Sequence, residues 1–164
     1  MYSVSFTGYR PEKMPFSHEQ DPLCADLKKR IRDKIENSIK DGAINFFSGM
    51  ARGADMWCAE IVLELKKTYP QINLSAVIPC SSQASGWTNE EIRRYQRILN
   101  ECHRKLIISQ NYTKNCMMKR NQMLVDICDV LIAVFDGQKG GTANTVKYAQ
   151  AKGKKIITIE PIQS

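Results

Sequence analysis

The stretch Ser48-Gly49-Met50-Ala51-Arg52-Gly53-Ala54-Asp55 joins a short apolar run, residues 44–48, to an amphipathic stretch that begins at Ala54. Its two glycines lie four positions apart and permit a tight backbone that approaches a ligand closely. The helix that follows adds the positive end of its dipole to this loop. Strand, glycine loop and helix in this order indicate an α/β fold with an anion-binding loop. The residues predicted to contact the anion are Ser48, Gly49, Met50, Ala51, Arg52, Gly53 and Asp55.

Two features of this loop limit the type of nucleotide site. It lacks the spacing G-x-G-x-x-G of the dinucleotide fingerprint, and no Gly-Lys-Ser or Gly-Lys-Thr follows, so a P-loop ATPase has no support. Asp55 has two interpretations, as the cap of the helix or as the acceptor of a ribose hydroxyl, and capping is the simpler one.

Further strand-length apolar runs alternate with helix-length amphipathic stretches along the rest of the chain. They lie at residues 2–7, 74–79, 105–108, 130–135 and 155–159. This alternation predicts a mostly parallel sheet of about six strands with crossover helices, which is a Rossmann-like three-layer α/β sandwich. Since no repeat or linker interrupts the pattern, we expect residues 1–164 to form a single domain.

The helices are marked by their start and stop signals. Asp21 and Pro22 start the first helix and Gly42 ends it. The second helix runs from Ala54 and stops before Pro70, and a capping box at Thr88 starts the third. The fourth and fifth are predicted at about residues 115–127 and 142–152. The apolar stripe of the first helix consists of Leu23, Leu27, Ile31, Ile35 and Ile39.

Composition excludes several classes of protein. The chain has 24 Lys and Arg against 17 Asp and Glu, a formal charge of +7, which favours anionic partners without distinguishing between them. Six scattered cysteines contain no C-x-x-C pair, so we expect buried thiols in a reducing compartment and no metal site. No signal peptide or membrane-length apolar run is present, and we therefore expect a cytoplasmic protein without membrane contact.

Three other strands also run into loops of polar and small residues, and all of these loops should open on one edge of the sheet. Gly8 and Arg10 follow the first strand, and Arg10 offers a planar fork for phosphate or carboxylate. Gln83 and Trp87 follow the third strand. Trp87 is predicted either to stack on a base or to pack against the next helix.

The loop after the fifth strand is the second candidate anion site. It opens a helix in the same manner as the loop at residues 48–55, and Lys139 adds positive charge. The fourth helix contributes Arg120 and Asn121 near its start. The residues of the second loop expected to contact the ligand are Gly140, Gly141, Thr142, Asn144 and Thr145.

These segments together resemble the YpsA-like family of the SLOG superfamily, which also includes the Lonely Guy enzymes and the DNA-processing protein DprA. The resemblance covers nearly the whole chain. It implies a Rossmann-like fold that binds a nucleotide-derived ligand related to NAD or ADP-ribose, and a link to bacterial cell-division or stress control. It rests on Gly8-Tyr9-Arg10-Pro11, on residues 48–55, on Pro79, Gln83 and Trp87, on Arg120-Asn121 and on Gly140-Gly141-Thr142.

One position departs from the Lonely Guy pattern, Pro-Gly-Gly-x-Gly-Thr-x-x-Glu. Thr145 stands where those enzymes carry their glutamate, and the leading proline is missing. A threonine cannot supply the carboxylate that such a hydrolysis requires. No catalytic residue is therefore assigned, although Asp136 or Glu60 remain candidates to replace the glutamate from elsewhere.

Three functional hypotheses follow. The first is a regulatory module that binds a nucleotide, with Arg10 and Arg120 neutralising the ligand's charge and with a second copy or another protein as partner. The second is a nucleotide N-glycosidase or phosphoribohydrolase with altered catalytic groups. The third, the least favoured, is a DprA-like binder of single-stranded DNA. The net charge and the loop at residues 48–55 support it.

Overall fold

The structure is a computed structural model that describes residues 2–163. Its single sheet has six strands: β1 (Ser3–Gly8), β2 (Asn45–Ser48), β3 (Asn73–Cys80), β4 (Arg104–Ser109), β5 (Val130–Val134) and β6 (Lys155–Ile159). The strands are ordered β4-β3-β2-β1-β5-β6, and every neighbouring pair is parallel.

Five helices cover the two faces of the sheet. They are α1 (Pro22–Lys40), α2 (Ala54–Lys66), α3 (Asn89–Glu101), α4 (Cys116–Asp126) and α5 (Gly141–Ala151), and a 3-10 turn, Pro11–Lys13, follows β1. Helices α1, α2 and α3 form one layer, and α4 packs with α5 in the other, as right-handed crossovers require when the strand order reverses. The predicted Rossmann-like α/β fold is confirmed.

The signals of α1 and α3 act as the sequence predicts, with one exception in the apolar stripe of α1. The Asp21 side chain accepts a hydrogen bond from the Leu23 N–H at 2.9 Å, and both hydrogen bonds of the capping box between Thr88 and Glu91 form. The exception is Leu23, which is 40% exposed, whereas Cys24 beside it is buried. A row of every fourth residue drifts around a helix of 3.6 residues per turn, so its first member has left the buried face.

The reversal of strand order lies at β1, which pairs with β2 on one side and with β5 on the other. The chain leaves β1 towards β2 and leaves β5 towards β6, which are opposite directions along the sheet. This opens a crevice outside the carboxyl ends of β1 and β5. The register places Gly8 opposite Val134 at this edge. The loops after β1, β2 and β5, and the helices they lead into, therefore meet there.

The core is built on the central strands. All five residues of β5 are buried, and Phe6 of β1 stacks on Phe46 of β2 with their ring centroids 6.1 Å apart. The six cysteines are unpaired; five are buried and Cys102 is partly exposed. Among residues 2–163, the helices are all too short or too polar to cross a membrane.

A cluster of ion pairs fixes the long segment between β1 and α1 onto the helical layer. Arg94 of α3 contacts Glu19 at 2.8 Å and Glu60 of α2 at 2.5 Å, and Lys28 contacts Glu19 at 2.8 Å. The Trp57 indole donates a further hydrogen bond to Glu19 at 2.9 Å. Burial opposes the ionisation of Glu19, but Arg94 and Lys28 outweigh it and lower its pKa to about 2.

We expect Glu19→Gln to lower the free energy of unfolding by about 1–2 kcal/mol at pH 7, because Arg94 and Lys28 lose a charged partner in a half-buried setting. A depressed carboxyl pKa stabilises the fold above the pKa of the unfolded chain, and this stabilisation disappears as the pH falls from about 4.5 towards 2. Urea titrations at several pH values should show the two proteins converging in acid. The matched control is Glu64→Gln, which removes an exposed pair with Lys67 and should change stability little at any pH.

Candidate functional site

A cavity of about 430 Å³ lies at the carboxyl ends of β1 and β5, where the strand order reverses. Its walls come from four segments: the end of β1 with the loop after it, the loop and first turn of α2, the middle of α4 and the start of α5. The lining residues are Thr7, Gly8, Tyr9, Arg10, Glu12, Lys13, Ala51, Asp55, Arg120, Asn121, Gly141 and Thr142.

Arg120 forms the floor of this cavity and is only 3% exposed. Its Nη1 donates to the carbonyl of Gly49 at 2.6 Å, and its Nε donates to the side chain of Asn121 at 2.8 Å. A longer contact of 3.4 Å joins Nη1 to Oε1 of Gln83. No hydrogen bond within residues 2–163 uses Nη2, so this end of the guanidinium remains available to a ligand.

Gly49 is required by this arrangement. A Cβ atom at this position would lie 2.6 Å from Nη1 and 2.7 Å from Cζ of Arg120. The glycine thus makes room for a buried guanidinium of the protein itself, and it does not line the cavity. Gln83 completes the support, since its Nε2 donates to the same carbonyl at 3.2 Å and to the Tyr95 hydroxyl at 3.3 Å.

Asp55 lies in the first turn of α2 and faces the same cavity. It does not cap the helix, because the N-cap is Gly53, and its Oδ2 instead accepts the N–H of Ala51 at 3.3 Å. Its Oδ1 is buried without a hydrogen-bond partner among the described residues. Ser48 holds the loop around it, accepting the Met50 N–H at 3.1 Å and donating to the Asp55 carbonyl at 2.8 Å.

The two buried charges of the site influence each other. Burial raises the pKa of Asp55, and the positive charge of Arg120 opposes this rise. Burial lowers the pKa of Arg120, and Asp55 opposes that in turn, while an arginine still keeps its proton at neutral pH. No ion pair within 4 Å joins the two in the described part of the chain. Three cationic side chains line the cavity: Arg10, Lys13 and Arg120. Two anionic ones, Glu12 and Asp55, also line it.

The opposite wall is the start of α5. Gly140 is its N-cap with φ of 148°, and a Cβ there would lie 2.6 Å from Nζ of Lys13. Lys13 donates to the carbonyl of Lys139 at 2.6 Å, which ties the loop after β1 to the loop after β5. Gly141 has open space around it, and Thr142 is buried beside it. The positive ends of the α2 and α5 dipoles thus converge on one cavity.

Tyr9 and three neighbours line the cavity although sequence analysis did not single them out. Tyr9 donates to Asp136 and accepts the N–H of Gln138 at 3.2 Å, so it joins the same two loops as Lys13. Thr7, Glu12 and Lys13 are the others. The signal that points to them is their position directly after β1, the strand at which the order reverses.

Several residues that the sequence proposed for ligand contact lie elsewhere. Arg52 pairs with Glu12 at 2.5 Å and Glu91 at 3.5 Å outside the cavity. Trp87 packs edge-on against Tyr95, which agrees with its interpretation as a packing residue for α3. The other predicted residues outside this cavity fall into three groups. Buried loop positions are Ser48, Gly49, Met50 and Gly53. Gln83 is a partly buried support and Gly140 is the partly exposed N-cap of α5, while Asn144 and Thr145 lie further along α5.

Gly53 and Met50 show why the loop needs this sequence. Gly53 has φ of 88°, and a Cβ there would lie 2.6 Å from the carbonyl oxygen of Tyr9. Met50 is fully buried with φ of 59°, an uncommon conformation for a residue with a side chain. The loop is thus held in a tight form by its contacts with β1 and α4, and it presents Ala51 and Asp55 to the cavity.

We expect Gly49→Ala to lower stability by about 1–3 kcal/mol, because the new Cβ displaces a buried guanidinium from its hydrogen bonds. Gly141→Ala is the matched control: a Cβ there meets nothing within 4 Å, and its effect should stay within about 0.5 kcal/mol. Chemical denaturation of both variants measures this. Equal stabilities would show that the Arg120 contact does not require a glycine.

The chain shows similarity to bacterial proteins over its whole length. A UPF0398 protein of Bacillus thuringiensis (strain Al Hakam) is 29% identical over 166 residues, which cover 100% of this chain and 89% of that protein. A UPF0398 protein of Bacillus cereus (strain AH187) shows the same identity and coverage.

Two solved structures share the fold. DNA processing protein A from Helicobacter pylori, described for its single-stranded DNA binding mode, superimposes with a TM-score of 0.66 at 22% identity over 96% of this chain. DNA processing protein A from Streptococcus pneumoniae gives a TM-score of 0.65 at 17% identity over the same share. This chain spans 64% and 50% of those two chains, respectively.

The family itself is established by a sequence model, YpsA, described as the YspA SLOG family, which matches residues 4–163. This match spans β1 to β6 and includes every segment that lines the cavity. The chain therefore belongs to the YpsA SLOG family.

Proposed function

We propose that this protein is a single-domain cytoplasmic module that binds a nucleotide-derived ligand, such as NAD, ADP-ribose or a nucleoside phosphate, in the cavity between α2 and α5. Binding regulates a contact with another protein or with a second copy of the chain. The observation that carries the proposal is the convergence of two helix N-termini with Arg10, Lys13 and Arg120 on one cavity at the reversal of strand order. Backbone N–H groups, helix dipoles and cations together suit a phosphate group.

Arg10 is the cation best placed to meet a ligand from solvent. It is exposed at the rim, and no hydrogen bond or ion pair in the described part of the chain uses its guanidinium. A planar guanidinium binds phosphate through two parallel hydrogen bonds. Arg120 provides the second cation from the floor, through its free Nη2.

Lys13 connects the ligand cavity to the exposed loop at residues 136–140, where a partner can bind. Its ammonium is bound to the Lys139 carbonyl at the entrance of α5, beside Gly140. A phosphate at this helix start would attract the same ammonium and draw it away from the carbonyl. The loop at residues 136–140, which is largely exposed, would lose one of its two ties to the loop after β1. A change on the exposed loop is the signal that a protein partner would detect.

Binding without turnover is supported by the positions of the carboxylates. Thr145 donates its hydroxyl to the Gly141 carbonyl at 2.9 Å within α5. Asp136 is bound to Tyr9, and Glu60 is paired with Arg94, so neither lines the cavity. Glu12 and Asp55 do line it. The hydrogen bond from Arg52 lowers the pKa of Glu12 and opposes the protonated form that a general acid needs, while Oδ2 of the buried Asp55 is held by the Ala51 N–H.

A titration calorimetry panel of NAD, ADP-ribose, AMP and ADP tests the proposal. We expect at least one compound to bind in the micromolar range, and Arg10→Ala to weaken it about ten-fold or more through loss of a charge-assisted contact. Arg93→Ala, on the exposed side of α3, removes the same charge far from the cavity and should leave the affinity unchanged. No heat and no thermal shift with any of the four compounds at millimolar concentration would contradict the proposal.

Single-stranded DNA is the second candidate, favoured by the net charge of +7 and by the fold shared with a DNA-binding protein from H. pylori. If DNA were the ligand, the affinity of an oligonucleotide would fall steeply as salt rises, because binding releases counterions. A nucleotide held by a few contacts should show a much shallower dependence. Fluorescence anisotropy at several salt concentrations separates the two.

The absence of turnover is a separate prediction. After prolonged incubation with AMP, NAD and ADP-ribose, chromatography should show no free base or nicotinamide above a protein-free control. Release of base that Arg120→Ala abolishes, in a variant that still folds by circular dichroism, would instead establish an N-glycosidase.

A further inference from the structure

A second cavity, of about 380 Å³, lies between α4 and α5. We call it the α4–α5 trough. Helix α4 contributes one wall and α5 the other. The lining residues are Met117, Met118, Asn121, Gln122, Gly141, Asn144, Thr145 and Tyr148.

The trough adjoins the cavity at the carboxyl ends of β1 and β5, which we call the phosphate cavity. Asn121 and Gly141 line both spaces, so one molecule can extend from one into the other. Gly141 lies where they join, and a Cβ there would meet no atom within 4 Å. The glycine therefore leaves the passage open where any other residue would project a side chain.

The walls of the trough differ in chemistry from those of the phosphate cavity. Met117 and Met118 provide flexible thioether surface, and Met118 is 53% exposed. No charged side chain lines the trough among the described residues. The amides of Asn121, Gln122 and Asn144 lie on its walls and offer both donors and acceptors.

Tyr148 is held in place as the far wall. Its hydroxyl donates to Asp126 of α4 at 2.9 Å, which connects the two helices that form the trough. The ammonium of Lys152 lies over the Tyr148 ring, 5.3 Å from its centroid. A ring fixed in this way loses little freedom when a second planar group packs against it.

The distance along α5 from its start to Tyr148 matches a ligand in which a phosphate and a ring are separated by about one sugar. From Gly141 to Tyr148 the helix advances seven residues, about 10 Å at 1.5 Å per residue. If the phosphate of a ligand lies at the start of α5, a group that is separated from this phosphate by about one sugar would therefore lie between the two methionines and Tyr148. A purine or pyrimidine ring has the planar apolar faces and polar edges that these side chains complement.

We propose that the α4–α5 trough binds the nucleobase of the ligand whose phosphate occupies the neighbouring cavity. This inference rests on the proposed function and specifies it: the ligand class is a nucleotide with its base attached, and inorganic phosphates and sugar phosphates are incomplete ligands. The trough supplies affinity for the ring and the phosphate cavity supplies affinity for the charge.

The experiment compares two probes by calorimetry on the wild-type protein and on three variants, two of which are matched. The probes are ADP, which has both parts, and pyrophosphate, which has only the charge. Asn144→Phe places an aromatic side chain from an exposed position of α5 into the trough, and Gln150→Phe places the same side chain on an exposed position of α5 that lines neither cavity. Met118→Ser removes apolar wall without adding bulk.

We expect wild-type protein to bind ADP at least about ten-fold more tightly than pyrophosphate, a ratio within reach of one buried ring. Asn144→Phe should remove most of this difference, and Met118→Ser should reduce it about three-fold or more. Gln150→Phe should leave it intact. The affinity for pyrophosphate is the internal reference in every variant, because that probe does not reach the trough.

The outcomes separate the two proposals. Equal affinity for ADP and pyrophosphate, or an unchanged ADP affinity in Asn144→Phe, would overturn the trough as a base site while leaving the phosphate cavity in place. Binding of neither probe would overturn the base site, and it would overturn the phosphate cavity as well if NAD, ADP-ribose and AMP also give no heat. A change in oligomeric state of Asn144→Phe or Met118→Ser, seen by light scattering without ligand, would assign the trough to a contact between chains instead.

Discussion

The guanidinium of Arg120 lies buried against the carbonyl of Gly49, and much of the site follows from this contact. A buried cation without hydrogen bonds would be costly, so the protein surrounds it with the Gly49 carbonyl and the side chains of Asn121 and Gln83. These supports come from the loop after β2, from α4 and from the segment after β3. The contact therefore fixes three elements relative to one another, and Gln83 acts as a support in this arrangement.

The sheet topology explains why these elements meet. Strand β1 lies at the centre, with β2, β3 and β4 on one side and β5 and β6 on the other. All carboxyl ends point to one edge, so the loops after β1, β2 and β5 lie side by side there. Helix α4 returns across the sheet from β4 to β5 and brings Arg120 beneath these loops. The cavity is thus a consequence of reversing the strand order, and the side chains determine only which ligand it suits.

The fold was predictable from the sequence because periodicity and helix signals agree at every element. All six strands and the helices α1, α4 and α5 lie within about two residues of their predicted ends, and α2 ends at Lys66, before Pro70. The starts of α1 at Asp21 and of α3 at Thr88 depend on local hydrogen bonds. The site was less predictable. Gly49 and Gly53 were interpreted as glycines that approach a ligand, whereas they contact Arg120 and the β1 loop; the partner of a glycine lies far away in sequence and leaves no local signal.

The buried guanidinium of Arg120 has no counter-ion in direct contact among the described residues. Arg120 and Asp55 are both buried, yet each is bound to neutral groups: Arg120 to a carbonyl and two side-chain amides, Asp55 to the Ala51 N–H. Among the described residues, neither Nη2 of Arg120 nor Oδ1 of Asp55 has a hydrogen-bond partner. A buried guanidinium that is bound only to neutral groups is costly, because it receives no direct attraction from an opposite charge. A ligand that carries an anionic group for Arg120 would recover part of this cost, whereas a neutral ligand would not, and the floor of the cavity therefore favours anions even where Glu12 and Asp55 reduce its net charge.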